Sequence, residues 1–273
     1  MDSRKLERIL ILVLLLLNGF LLAVVLSDSA QTRRSNAETE AALAALLEEN
    51  GLSVAESAVR VRSAPPKCTL TRDMAQEQRL VSRLIGKGET FDQGGFIFFY
   101  NGKTGQAMLR GSGEMDVIFS GGSVPLRGGA ERTALRLMRR VGVGAVSAER
   151  SGPDSDSAEL YCTVDGFPVY NAVLHFGFSL GSLNMLSGTR VFDSVSKEAD
   201  AGLLDSVSVL LRFVELVRDE GYICSRIETV TPGYLQTVTR SGETELAPVW
   251  RIETDAGAFL IDAESGRAVN RLS

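Results

Sequence analysis

Leu203–Asp219 reads LLDSVSVLLRFVELVRD, and the residues that follow it as far as Asp262 read as strands. Leu203, Val207, Leu210, Val214 and Val217 fall on one stripe of a 3.6-residue period, and Asp205, Ser208, Arg212, Glu215 and Asp219 fall on the opposite one. Such a helix belongs on a sheet, because several turns of Leu and Val left in water are costly. The sheet follows in sequence: Ile223–Thr229, Leu235–Thr239, Pro248–Thr254 and Ala258–Asp262 are predicted strands, separated by polar turns such as Asp255-Ala256-Gly257.

The same order of elements recurs upstream. Ser35–Asn50 is a predicted helix, opened by the capping box Ser35-x-x-Glu38 and stopped by Gly51. A strand is expected over Ser53–Val61, broken by Pro65-Pro66. Met74–Ile85 is a second helix, with Leu80, Val81, Leu84 and Ile85 on one face. Phe96–Tyr100, a hairpin signal at Asn101-Gly102, a return over Gln106–Arg110 and a third strand over Glu114–Ser120 complete a first unit. Gly121-Gly122 marks a break. Ala130–Val141 is a third helix with Ala134, Leu137, Met138 and Val141 inward, ended by Gly142 and Gly144. After a polar loop at Gly152–Ser157, strands Ala158–Val164 and Phe167–Phe178 flank the turn Asp165-Gly166, and Leu183–Phe192 continues the sheet. Helix then antiparallel strands, twice over, predicts an α+β fold. It has two lobes of antiparallel sheet, each packed by helices, the first over residues 35–125 and the second over 126–273.

Residues 1–34 are of another kind. Ile9–Leu26 reads ILILVLLLLNGFLLAVVL, with no charge and Asn18 as its one strong polar group. At about 1.5 Å per helical residue the run spans roughly 27 Å, the thickness of a bilayer's hydrocarbon core. Arg4, Lys5 and Arg8 precede it, and Ser27-Asp28-Ser29 follows. The positive-inside rule therefore predicts a single N-terminal transmembrane helix, with the N-terminus cytoplasmic and the bulk of the chain outside the cell membrane. A cleaved signal peptide is the rival, but Ser27 and Ser29 make a poor cleavage site and the apolar run is long for a signal core. An amide in hydrocarbon is best satisfied by a neighbouring helix, and Gly19 permits close approach, so Asn18 and Gly19 are candidate partner contacts.

Composition excludes several function classes. The net charge is −5 and no long basic block exists, so nucleic acid is not an expected partner. Three cysteines, Cys68, Cys162 and Cys224, without CxxC spacing give neither a disulfide framework nor a zinc site, although one pair could form outside the membrane. The single histidine, His175, lies inside the alternation Val173-Leu174-His175-Phe176, with no GxSxG elbow. Gly102-Lys103-Thr104 imitates a P-loop, but Ile97 stands where its first glycine belongs. Asp154-Ser155-Asp156 imitates a calcium loop, but Glu159 replaces its central glycine. Asp73, Glu77 and Asp92 offer carboxylates that sequence cannot pair. The chain thus shows no catalytic, cofactor or metal constellation and reads as non-enzymatic.

Both ends resemble a known family. Met1-Asp2, the basic residues and ILILVLLLLNGFLL, then the helix ending Leu46-Leu47-Glu48-Glu49-Asn50-Gly51, are similar to the N-terminus of the YycI proteins. Leu210-Leu211-Arg212-Phe213, Ile227-Glu228, Gly233-Tyr234, Ala247-Pro248-Val249-Trp250-Arg251-Ile252 and Phe259-Leu260-Ile261-Asp262-Ala263-Glu264-Ser265-Gly266 resemble that family's closing segment. They also resemble a PepSY-type hairpin, in a PepSY/cystatin-like layout. The middle matches loosely, mainly at Gly166-Phe167-Pro168-Val169-Tyr170-Asn171, and Ser3 departs from the aromatic frequent in the family. The resemblance implies a single-pass membrane regulator of the WalK/YycG sensor histidine kinase of cell-wall metabolism in Firmicutes, often beside a sister protein, YycH. Tyr234 and Trp250 then have two readings, as core residues or as an exterior partner surface. A PepSY-like envelope module that binds or inhibits a peptidase is the alternative. A hydrolase built on His175 is a third.

Overall fold

The hairpin read from Pro248–Thr254 and Ala258–Asp262 stands inside one extensive sheet. The computed structural model describes residues 34–148, 155–192, 194–198, 202–238 and 243–272. The chain begins with helix α1 (34–49), strands β1 (Ser53–Val54) and β2 (Cys68–Thr71), and helix α2 (Met74–Ile85). Strands β3 (Gly88–Asp92), β4 (Phe98–Gly102), β5 (Gly105–Leu109) and β6 (Glu114–Phe119) lead to helix α3 (Ala130–Val141). Strands β7 (Ala145–Ser147), β8 (Ser157–Val164), β9 (Phe167–Ser179), β10 (Ser182–Thr189) and β11 (Ser194–Lys197) precede helix α4 (Ser206–Glu220). Strands β12 (Arg226–Val238), β13 (Thr244–Thr254), β14 (Gly257–Asp262) and β15 (Ala268–Leu272) close the chain.

The main path of the sheet runs β11-β2-β13-β12-β9-β10-β6-β5-β4-β3. Off it, β1 lies on β12, β14 and β15 extend from β13, and β7 and β8 extend from β9. Most neighbours are antiparallel, but β1–β12 and β9–β12 are parallel. Two expectations therefore change. The two lobes of antiparallel sheet are replaced by one mixed sheet: β6 of the first predicted lobe pairs with β10 of the second, and β2 pairs with β13. A short strand finds its partner by edge geometry, which no local pattern encodes. The single N-terminal transmembrane helix does not carry over either. Among the described residues no helix is long and apolar enough to cross a membrane, and Ile9–Leu26, with Asn18 and Gly19, lie outside them.

The joint between the two halves of the sheet is narrow. Strands β9 and β12 are in register at Tyr234 and Val169. The Asn171 side chain extends the pairing: its amide donates to Gln236 O (2.8 Å) and its oxygen accepts from Gln236 N (2.8 Å). Gly233 makes the approach possible, since a Cβ there would stand 2.6 Å from both Pro168 O and the Tyr170 ring. This close contact explains why β12 runs unbroken where the sequence predicts two strands, over 223–229 and 235–239. Pro232 and Gly233 are paired with Trp250 and Val249 inside one strand.

Local signals elsewhere hold unevenly. Helices α2 and α3 occupy their predicted bounds, and Ala134, Leu137, Met138 and Val141 are buried. Asp165 and Gly166 both take positive φ (51° and 85°), which lets a two-residue hairpin follow the strand twist. The hairpin placed at Asn101-Gly102 turns instead through Lys103-Thr104, with Gly102 paired to Gly105. The strand expected over 53–61 shrinks to β1. The buried stripe on α4 is shifted from the expected one: Val209, Leu210 and Phe213 are fully buried, while Val207, Val214 and Val217 pack at its margin, and the helix starts at the Asp205 cap.

Two cores result. Helices α2 and α3 cover the sheet around Leu109, Val117, Leu160, Phe176 and Leu186. The other core joins Leu43 and Leu47 of α1 and Phe213 of α4 to Val230, Trp250, Ile252, Phe259 and Ile261. The carboxylates left unpaired by sequence are placed. Asp73 caps α2 through Ala75 N (2.8 Å) and Gln76 N (3.2 Å), and Asp92 accepts from Gly94 N (2.8 Å). Glu77 is fully buried and accepts from Arg72 Nη2 (2.8 Å) and Nε (2.9 Å), from Tyr100 Oη (3.0 Å) and from Arg190 Nη2. Burial, and then the Glu77 carboxylate, push the Tyr100 hydroxyl far above its ordinary pKa.

Candidate partner-binding groove

The joint of the sheet opens on one side as a groove of about 450 Å³, lined in part by Arg62, Val146, Tyr161, Phe167, Tyr170 and Arg251. Its position follows from strand alternation. On β13, Trp250 and Ile252 point into the α1–α4 core, so Arg251 and Glu253 project from the opposite face. On β8 and β9, Tyr161 and Tyr170 come from the face away from α2 and α3, and their rings meet edge to face at 5.5 Å.

Arg251 is the centre of this groove. Its guanidinium stands 5.8 Å from the centroid of the Tyr161 ring and 5.5 Å from that of Tyr170. Nη1 donates to Tyr161 Oη (3.1 Å) and Nη2 pairs with Glu253 Oε1 (3.2 Å). Thr229 Oγ1 donates to Glu253 Oε2 (2.7 Å), and so fixes the carboxylate. The Tyr170 hydroxyl meets Thr231 O (3.2 Å) and Oγ1 (3.0 Å). Arg251 Nε is buried and, among the described residues, has no hydrogen-bond partner. The geometry offers the half-buried ring of Tyr161 and a planar cation held against it, with Tyr170 buried beside them, a set suited to contact with a polypeptide.

Burial pushes the Tyr170 hydroxyl up to about 12. Its folded pKa thus exceeds the unfolded value of roughly 10. Between those values the unfolded chain loses this proton first, so stability present below pH 10 falls as pH rises toward 12. Tyr170→Phe is expected to flatten the fall, by up to about 1.4 kcal/mol per pH unit over that window. Urea midpoints at pH 9, 10.5 and 11.5 check this, and identical profiles for both proteins would refute it.

The residues singled out by sequence lie elsewhere. Tyr234 and Trp250, read as a possible exterior partner surface, are both fully buried. Tyr234 donates to Pro66 O (2.9 Å) and packs edge to face on Phe167 at 6.3 Å. Trp250 donates from Nε1 to Leu204 O (2.9 Å). Their polar atoms are already satisfied inside, so neither is offered to a partner. His175 is half-exposed and pairs with Glu159 (2.9 Å) on the open side of the sheet. Cys68 and Cys162 are buried and Cys224 is half-buried, all as free thiols. Burial pushes the Cys162 thiol up to about 11, away from thiolate at neutral pH. Among the described residues no cluster of His, Cys, Asp or Glu could hold a metal ion. The sequence reading missed Arg251, although two charges spaced i, i+2 inside an apolar strand, Arg251 and Glu253, were a visible sign of it.

No family model and no curated protein matches the chain. Solved structures resemble it loosely. An uncharacterized protein from Eubacterium rectale shares 10% identity over 80% of this chain and 89% of its own, with a TM-score of 0.47. The C-terminal domain of YpeB from Bacillus megaterium shares 10% identity over 74% of this chain and 97% of its own, with a TM-score of 0.38. YycH from Bacillus subtilis shares 10% identity over 73% of this chain and 56% of its own, with a TM-score of 0.37.

Proposed function

We propose that the protein is a non-enzymatic regulator that sets the activity of a sensor histidine kinase of cell-wall metabolism. It acts outside the cytoplasm through the Tyr161–Tyr170–Arg251 groove, with a YycH-like sister protein as a further partner. One observation carries the reading. Two segments that resemble the YycI proteins, 166–171 loosely and 247–252 more closely, lie some eighty residues apart in the chain. They converge here: the first supplies Phe167 and Tyr170, the second Arg251. A binding role is supported by the aromatic and guanidinium groups, which match the residues that dominate protein interfaces. Regulation needs no chemistry, since a partner with different affinity for two kinase states shifts their balance.

Tyr161→Ala in the full chain, co-expressed with the kinase, is expected to weaken the complex by about 2 kcal/mol, roughly thirtyfold. Arg251→Lys should weaken it too, because an ammonium neither stacks on both rings nor donates in a fork. Co-purification and kinase autophosphorylation are the readouts, with thermal melting as the control for folding. Undiminished kinase capture by both variants would remove the groove from this role. Capture of a peptidase instead of the kinase would favour the envelope-module alternative.

A further inference from the structure

We infer that the α3 face carries a binding site for a phosphate group, built from Ser123, Arg127, Arg136 and Arg140. Charge is the first observation. Residues 123–141 hold five arginines and one acid, Glu131, in a chain whose net charge is −5. None of these arginines forms an ion pair among the described residues, and the four on α3, Arg132, Arg136, Arg139 and Arg140, are exposed. Positive charge is therefore gathered on one face of an acidic protein without acidic partners to neutralise it.

Shape is the second observation. Thr133, Arg136, Leu137 and Arg140 fall at i, i+3, i+4 and i+7, one stripe of α3. With the segment Ser123–Val124–Pro125 and Arg127 opposite, they enclose a hollow of about 240 Å³. The hollow is held in shape from both sides. Thr133 Oγ1 accepts from Arg127 N (2.9 Å) and donates to Arg127 O (3.1 Å), and Arg136 Nη2 donates to the same carbonyl (3.3 Å).

The third observation is a hydroxyl. Ser123 lines this hollow, and its Oγ is enclosed and has no hydrogen-bond partner among the described residues. A buried polar atom left unmatched is costly, so its place in the wall of a hollow shared with three arginines points to a ligand that accepts from it once the side chain turns inward. Guanidinium forks match phosphate and carboxylate alike. Three forks and a hydroxyl supply more donors than the two oxygens of a carboxylate need, and suit a tetrahedral anion better. The chemistry is that of a phosphate ester, carried either by a lipid headgroup or by a soluble molecule.

Two probes separate these sources in the full chain: phosphatidylglycerol vesicles in co-sedimentation, with phosphatidylcholine vesicles as reference, and glycerol phosphate in calorimetry. Arg136→Ala/Arg140→Ala is expected to lower the affinity for whichever probe binds by at least about tenfold, and Ser123→Ala to lower it measurably, as loss of charge-assisted and neutral hydrogen bonds requires. Arg136→Lys should recover only part of the loss. Arg212→Ala, an exposed arginine on α4, should change nothing. Binding of glycerol phosphate with this pattern assigns a soluble ester, and binding of the vesicles alone assigns a headgroup; either bears out the site. No binding of either probe, or binding indifferent to the Ser123 and Arg136/Arg140 variants, overturns it.

Discussion

Glu77→Ala should cost about 3–5 kcal/mol of stability, the range for removing one partner of a buried ion pair. The side chain is fully enclosed, and its oxygens accept from Arg72, Tyr100 and Arg190. These donors come from different parts of the chain. Arg72 follows β2, Tyr100 belongs to β4, and Arg190 follows β10. Removing the carboxylate leaves Arg190, whose side chain is 3% exposed, without that anion. Glu77→Gln should restore only part of the loss, since an amide keeps the shape but not the charge. Tyr100→Phe removes one hydrogen bond and should cost about 1–2 kcal/mol. Urea unfolding at neutral pH separates the three. A Glu77→Ala protein within about 1 kcal/mol of the parent would mean that water replaces the carboxylate at little cost.

Trp250→Ala should destabilise by a similar amount, about 3–5 kcal/mol, for a different reason. Here the loss is volume. Trp250 is among the largest fully buried side chains and lies between Phe213, Ile252 and their neighbours in the α1–α4 core. Truncation opens a cavity and also leaves the Leu204 carbonyl without its indole donor. Trp250→Phe should cost less, because the ring refills part of the space. The measurement is direct, as the chain has one tryptophan. Its emission should be blue-shifted and shielded from iodide in the native state. Strong quenching, or an unchanged melting temperature for the alanine variant, would place the indole at the surface instead.

Both residues show how far the sequence could be read. Trp250 was visible as a strand aromatic, but whether it faced a core or a partner depended on which side α1 and α4 would cover. Glu77 was visible as one carboxylate among several. Its importance arises from Arg190, more than a hundred residues away. The groove has the same character: Tyr161, Tyr170 and Arg251 lie on three strands whose adjacency follows from the β9–β12 joint.

What the sequence determined by itself was local. It set helices α2 and α3 to their ends, because a 3.6-residue apolar period, and for α3 the glycine stop at Gly142, act within one or two turns. It also set the Asp165-Gly166 hairpin, because backbone freedom is a property of the residue. The tertiary structure alone decided that α1 packs with α4, that β2 joins β13, that β12 runs through Pro232-Gly233, and that an arginine of β13 reaches two tyrosines of β8 and β9. Those outcomes depend on which strand edges and apolar faces meet, and a strand's edge carries the same N–H and C=O groups at every residue but proline, so the choice of partner is made by the whole packed molecule.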